Sequence, residues 1–255
     1  MSDQTATHPR AVKAFLVAGG RFHDINYARL EILKLLAEHP DIRVDVDSDY
    51  RRIEDIEKAD FLITYTCDVT PPEEIQTRLR DWVRGGGRWF ALHGTNSILR
   101  FTAEGKVTSP REAPILMETL GSQFIAHPPI GPYTVHVSDP EHPLVKDVPE
   151  FQTSDELYQS VYHGDLKELL HCFNTGPGTG FVEDDWPIGQ KHLVMYMKPQ
   201  GAGCVTYLTL GHCRGHHDMA PMMDYYPVVE RGSWERPEFY ELLRRGIRWA
   251  KTGGV

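Results

Sequence analysis

Between residues 11 and 94 short apolar runs alternate with amphipathic stretches, and this alternation restricts the fold more than any other feature of the sequence. The run AVKAFLVA (11–18) is dense in apolar and β-branched residues and stops at Gly19-Gly20, as a buried parallel strand entering a loop does. Residues 25–38 space Ile25, Leu30, Leu33, Leu36 and Ala37 at near-helical intervals, and Pro40 closes the segment. Residues 42–46 and 61–65 predict two more strands. Pro71-Pro72-Glu73-Glu74 opens a second helix, because proline fits a first turn and acidic groups suit its positive end. That helix runs through Leu79, Trp82 and Val83 to Gly85-Gly86-Gly87, and RWFAL (88–92) is a fourth strand. Such βαβ succession predicts an α/β fold of three layers, a mostly parallel sheet with helices on both faces.

The second half is less regular. Strands are expected at 133–137, 193–197 and 204–210, and a closing amphipathic helix at 237–250. The GPGTG at 176–180 lacks the lysine of a phosphate-cradling loop, so no nucleotide cofactor is expected. With 255 residues the chain reads as a flexible N-terminus (1–10) followed by a single domain (11–255). A formal charge of -9 opposes binding to nucleic acid or an anionic membrane. The paired arginines Arg51-Arg52 and Arg244-Arg245 read as solvated faces. The polar start and the absence of a long apolar stretch predict a cytoplasmic location. Four cysteines without C-x-x-C spacing suit reduced thiols better than disulfides or a zinc ribbon.

Ligands of parallel sheets bind beyond the carboxyl ends of the strands. Three predicted strands deliver histidine there: His23, followed by Asp24, after the first; His93 after the fourth; His212 after a late one. Glu156, between Asp155 and Tyr158, can join them as general base or metal ligand. His216 and His217 extend the last motif into a loop, because Gly211 and Gly215 disfavour a helix. The turn after the fourth strand is where a nucleophile elbow would sit, yet it reads Ala91-Leu92-His93-Gly94-Thr95, without serine or cysteine. Covalent acyl transfer is therefore disfavoured, and nothing pairs Ser97 or Cys67 with a base. Trp186, Tyr158, Tyr162 and Tyr207 are available either to stack on sugar rings or to pack the core. The methionines and tyrosines of 219–234 suit a lid, a self-association surface or ordinary packing.

Taken together, Gly19-Gly20-x-x-His23-Asp24, Gly85 through His93, Gly121-x-x-Phe124-x-x-His127-Pro128, His142-Pro143-Leu144, Asp155-Glu156-x-Tyr158 and Leu210-Gly211-His212 resemble the trehalose-utilisation (ThuA-like) family over roughly residues 12–250. The resemblance implies a flavodoxin-like, class I glutamine amidotransferase-like fold without the elbow cysteine. It also implies a role in the catabolism of disaccharides or related glycosides, after oxidation to a 3-keto sugar by a partner dehydrogenase. The residues matching its motifs are His23, Asp24, His93, His127, Glu156, Tyr158 and His212.

The expected function is thus a carbohydrate-catabolic enzyme, lyase or hydrolase, acting on a glycoside or 3-keto sugar by acid–base or metal-assisted chemistry. His93, Glu156, His212 and Asp24 are the catalytic candidates, and His23, His127 and Tyr158 the substrate-binding ones. His23, His93 and His212 are the candidate ligands of one divalent metal, zinc or similar. The partners expected are a small sugar substrate and a second copy of the chain. Two rivals stand beside this reading: a non-catalytic sugar binder or regulator on a scaffold that lost its nucleophile, and a cysteine hydrolase using Cys67 or Cys213.

Overall fold

The computed structural model describes residues 10–254; apart from Arg10, the N-terminus expected to be flexible lies outside the described residues. The chain runs β1 (Val12–Gly20), α1 (Ile25–Ala37), β2 (Ile42–Asp47), α2 (Ile53–Glu57), β3 (Phe61–Cys67), α3 (Glu73–Arg84) and β4 (Arg88–Leu92). It continues through a small hairpin, β5 (Arg100–Phe101) and β6 (Val107–Thr108), to α4 (Pro114–Leu120). Then follow β7 (Ser122–Ala126), β8 (Gly131–Val137), β9 (Phe151–Asp155), β10 (Gln159–Tyr162), β11 (Lys167–Phe173), β12 (Lys191–Gln200), β13 (Gly203–Leu208) and α5 (Pro237–Thr252). Among the described residues no helix is long and apolar enough to cross a membrane.

The main sheet has the order β2-β1-β3-β4-β13-β12-β11-β8-β9. Its first five strands are parallel, as the βαβ pattern requires, and the other four are added antiparallel. The parallel strands are buried on both faces because each strand feeds both helical layers. Leu16, Ile63 and Phe90 point to α1 and α5, meeting Ile32, Leu36, Phe239 and Leu243. Phe15, Leu62 and Trp89 point the other way, onto Ile56, Leu79, Val83 and Leu116 of α2, α3 and α4. Helix α5 comes so near β4 that a Cβ on Gly246 would run into the Phe90 ring.

Four successive reversals return β9 to the direction of β13, so both strands end on the same edge. In a flat sheet, four steps of about 4.8 Å would leave those ends roughly 19 Å apart. Instead Asp155, the last residue of β9, accepts hydrogen bonds from the backbone N–H of Gly211 (3.1 Å) and His212 (3.1 Å), just past β13. The extension therefore curls over. The ladder between β8 and β11 is the shortest in the sheet, only two residue pairs, Leu170 with Val137 and His171 with His136. A separate antiparallel pair, β7 with β10, builds the wall facing the curled edge.

Candidate functional site

The ends of three parallel strands, β1, β4 and β13, turn sharply so that a histidine after each faces the same hollow. After β1 the backbone takes positive φ at Gly20 (106°) and Phe22 (69°), and His23 follows. After β4, His93 itself has φ 45°, the left-handed conformation that an elbow residue adopts and that most side chains avoid. Gly94 completes this turn, since a Cβ there would lie 2.6 Å from the Thr66 carbonyl oxygen. His212 follows Gly211 (φ 126°) and is held by Asp155, whose carboxylate also accepts from the N–H of Ser233 (2.9 Å) and Glu156 (2.7 Å). Glu156 thereby enters the same hollow from the end of β9.

His23, His93, Glu156 and His212 are all buried, and one ligand atom from each lies within 4.8 Å of the others. The imidazoles share an arrangement in which one nitrogen is tied outward and the other faces in. His93 donates from Nδ1 to the Thr209 carbonyl (2.8 Å), which leaves a lone pair on Nε2. That Nε2 sits 2.9 Å from Nε2 of His23, whose Nδ1 makes a longer contact with the Arg21 carbonyl (3.4 Å). His212 donates from Nε2 to Glu230 (2.8 Å) and turns Nδ1 inward, 3.1 Å from Glu156 Oε1 but with no aligned hydrogen-bond partner. Glu156 Oε2 closes the group at 3.5 Å from His93 Nε2 and 3.6 Å from His23 Nε2.

The charges explain how this cluster is held. Burial pushes His93 well below the usual imidazole pKa, aided by the neighbouring His23. Burial likewise lowers His23, partly offset by Glu156. Both are thus neutral and offer lone pairs. Burial would raise the Glu156 carboxyl, yet the nearby charge of His212 and His127 outweighs this and holds it well below the carboxylate range. His212 goes the other way: burial lowers its pKa, but Glu156 and Glu230 outweigh that and raise it to about 9. Arg214 lies beside both carboxylates, 3.4 Å from Glu156 and 2.9 Å from Glu230. One guanidinium cannot balance two carboxylates, and the His212 proton makes up the difference. A divalent cation at the centre would take over that proton's electrostatic role, since metals and protons compete for the same lone pairs.

A cleft with an enclosed volume of about 100 Å³ opens above the cluster and continues into open solvent. His127 lines it, with Nδ1 donating to the Pro128 carbonyl (2.6 Å) and Nε2 3.7 Å from Glu156. Tyr158 lines it too, its ring 5.0 Å from that of His93. Asp24, expected among the catalytic residues, caps α1 by accepting from Tyr27 N–H (3.1 Å) and pairs with Arg231 (3.2 Å). It is outside the group of four. His216 and His217 brace the 216–226 loop through the carbonyls of Tyr226 (2.7 Å) and Asp224 (3.0 Å). Tyr207 and Tyr162 are bound into the fold, their hydroxyls on the N–H of Asn96 and Leu193, while Trp186 packs on His192. Of the four aromatics only Tyr158 faces the cleft. Cys67 is at the cleft, but burial raises its thiol pKa well above the ordinary value; Cys213 is pushed up to about 12. Neither is an activated nucleophile.

Sequence reasoning missed Glu230 and Arg214. Arg214 continues the Gly211-His212 motif and was open to discovery there, whereas Glu230 arrives only through a backbone bridge between Arg214 and Glu230.

Comparison with known proteins bears on the fold. A ThuA-like protein from Parabacteroides merdae is 20% identical, with a TM-score of 0.64 over 96% of this chain and 92% of that one. One from Bacteroides uniformis is 18% identical, with a TM-score of 0.66 over 98% and 97%. A cold-adapted β-galactosidase from Rahnella sp. R3 is 14% identical, with a TM-score of 0.55 over 94% of this chain but 31% of its own. These likenesses concern the architecture. Among curated protein sequences nothing matches. The model of the ThuA family, described as trehalose utilisation, matches residues 13–225, and the chain belongs to that family.

Proposed function

We propose that the chain is an enzyme of carbohydrate catabolism that cleaves a 3-keto glycoside, with His23, His93, Glu156 and His212 holding one divalent metal. The observation that carries this reading is the orientation of the three imidazoles, each tied outward and turned inward onto a shared carboxylate. Outer acceptors of this kind fix the tautomer of metal-binding histidines, and three nitrogens with one oxygen suit zinc and its neighbours. A cation there would polarise a substrate oxygen.

The remaining groups handle the proton. In a 3-keto glycoside the hydrogen on C2 is acidified by the neighbouring carbonyl. Its removal lets the C2–H electron pair form the C1=C2 bond while the C1–O bond breaks and the aglycone leaves with that oxygen's electrons. Among residues outside the cluster, His127 has the geometry of the base: Nδ1 is occupied by a carbonyl, and Nε2 is turned toward the cleft. Arg214 is placed to hold the substrate's oxygens.

The test is elemental analysis of the purified protein together with turnover of a 3-keto glucoside by the same preparation. About one equivalent of divalent metal, lost with turnover in His93→Ala and His212→Ala variants of unchanged circular dichroism, is expected. Full turnover in both variants, or a metal-free protein inert towards 3-keto glucosides, overturns the reading, and the second outcome favours a sugar-binding role.

A further inference from the structure

The walls of the cleft and its floor are chemically unlike. Glu156, His23, His127, Arg214 and Ser97 collect at the floor. Ser97 Oγ is buried there with no hydrogen-bond partner. Above them the lining is aromatic and thioether: Phe22, Phe124 and Phe181 are buried deep in the walls, while Phe101 (39% exposed) and Met222 (45% exposed) stand at the rim, with Met219 beside them. The rings pair edge to face across the walls, Phe22 with Phe101 at 5.7 Å and Phe124 with Phe181 at 5.7 Å. This leaves apolar faces and edges toward the opening, the surroundings an arene prefers. Methionines add polarizable, adaptable contact to such a ring.

We propose that the substrate's leaving group is an aromatic aglycone, a phenol, rather than a second sugar: the keto-sugar ring sits on the polar floor, and the arene lies between Phe101, Phe181 and the two methionines. This rests on the proposed cleavage of a 3-keto glycoside and names the class of molecule it acts on. Two physical arguments carry it. A second sugar would bring hydroxyls into walls that supply no side-chain partner for them, and a hydroxyl buried without a partner loses its hydrogen bonds to water with nothing in return. A phenolate also leaves readily, because a phenol ionises near pH 10, as the tyrosine side chain does. Among the described residues, no acidic side chain lines the aglycone end of the cleft to protonate a poorer leaving group.

The experiment compares 4-nitrophenyl 3-keto-glucosides with 3-keto disaccharides of the same anomeric configuration, using the full chain as purified. It adds Phe101→Ser and Met222→Gln, both at partly exposed positions and each checked for an unchanged circular dichroism spectrum, and calorimetric titration with free 4-nitrophenol. At least a tenfold higher kcat/KM for the aryl substrate is expected, with each variant lowering the aryl rate at least fivefold more than the disaccharide rate. Equal rates, or a preference for the disaccharide, overturn the aromatic subsite while leaving the cleavage reading intact. If neither substrate is cleaved, the cleavage reading fails. Binding of 4-nitrophenol that weakens in both variants then upholds the subsite alone, and absence of binding overturns it.

Discussion

The parallel and antiparallel halves of the sheet contribute to the cluster in different ways. The parallel half supplies its imidazoles from sharp turns at the ends of β1, β4 and β13, backed by strands packed on both faces. The antiparallel half supplies the carboxylate of Glu156 from a strand that reaches the cluster only because the sheet curls. One half is a frame buried on both faces, and the other is an extension fastened to it. The fastening is Asp155, which receives four backbone N–H groups, three of them from Gly211, His212 and Ser233 beyond β13.

Severing that fastening should have the largest effect. Asp155→Ala strands buried donors that cost about 1–3 kcal/mol each when unpaired, so a loss of roughly 3 kcal/mol or more is expected in denaturant unfolding. Metal binding should vanish in the same variant. A variant with unchanged stability and stoichiometry would mean that the two halves hold together without this carboxylate. A smaller effect is expected from Glu230→Gln, which leaves the frame intact but weakens the outer partner of His212. Loss of such a partner typically lowers metal affinity 10–100-fold, readable by competition with a chelator, and an unchanged affinity would remove Glu230 from the site.

The smallest effect lies away from the site and is silent at neutral pH. His192 of β12 is buried with neither ring nitrogen hydrogen-bonded, and burial lowers its pKa to about 4. The folded protein therefore keeps this ring neutral, while the unfolded chain protonates it below about pH 6.5, so stability falls as pH drops from 6.5 towards 4. By pH 5 the loss amounts to about 2 kcal/mol. His192→Leu should flatten this slope in urea melts between pH 7 and 5 and change little at pH 7.5. An unchanged slope would assign the acid sensitivity to other groups.

The two halves also differ in how much of them the sequence reveals. Strands buried on both faces must be apolar throughout, so β1, β3 and β4 are recognisable, and α1 begins at the expected residue, Ile25. The strand β9, FQTSD, buries alternate residues and carries threonine and serine, leaving little apolar signal over five positions. The short helices α2 and α4 and the five-residue β7 are hidden for the same reason: their burial comes from the surrounding fold. At the site the three histidines could be read from their places after strands, and Glu156 from its motif. Asp24 shows how a carboxylate before a helix reads two ways in sequence: here it caps α1 and stands outside the cluster of four. The apolar cleft walls were unreadable, since Phe101, Phe124 and Phe181 meet through three separate segments.

His23 and His212 stand 189 positions apart, and their meeting has a consequence for the newly made chain. As the protein emerges from the ribosome, β1 to β4 can pack with two of the imidazoles already present, but the third imidazole and its carboxylate partners have yet to arrive. The cluster of four is completed only when residues 211–230 close onto the edge of the sheet, among the last contacts the chain can make. An arrested or truncated polypeptide would have much of the scaffold and only half of the cluster.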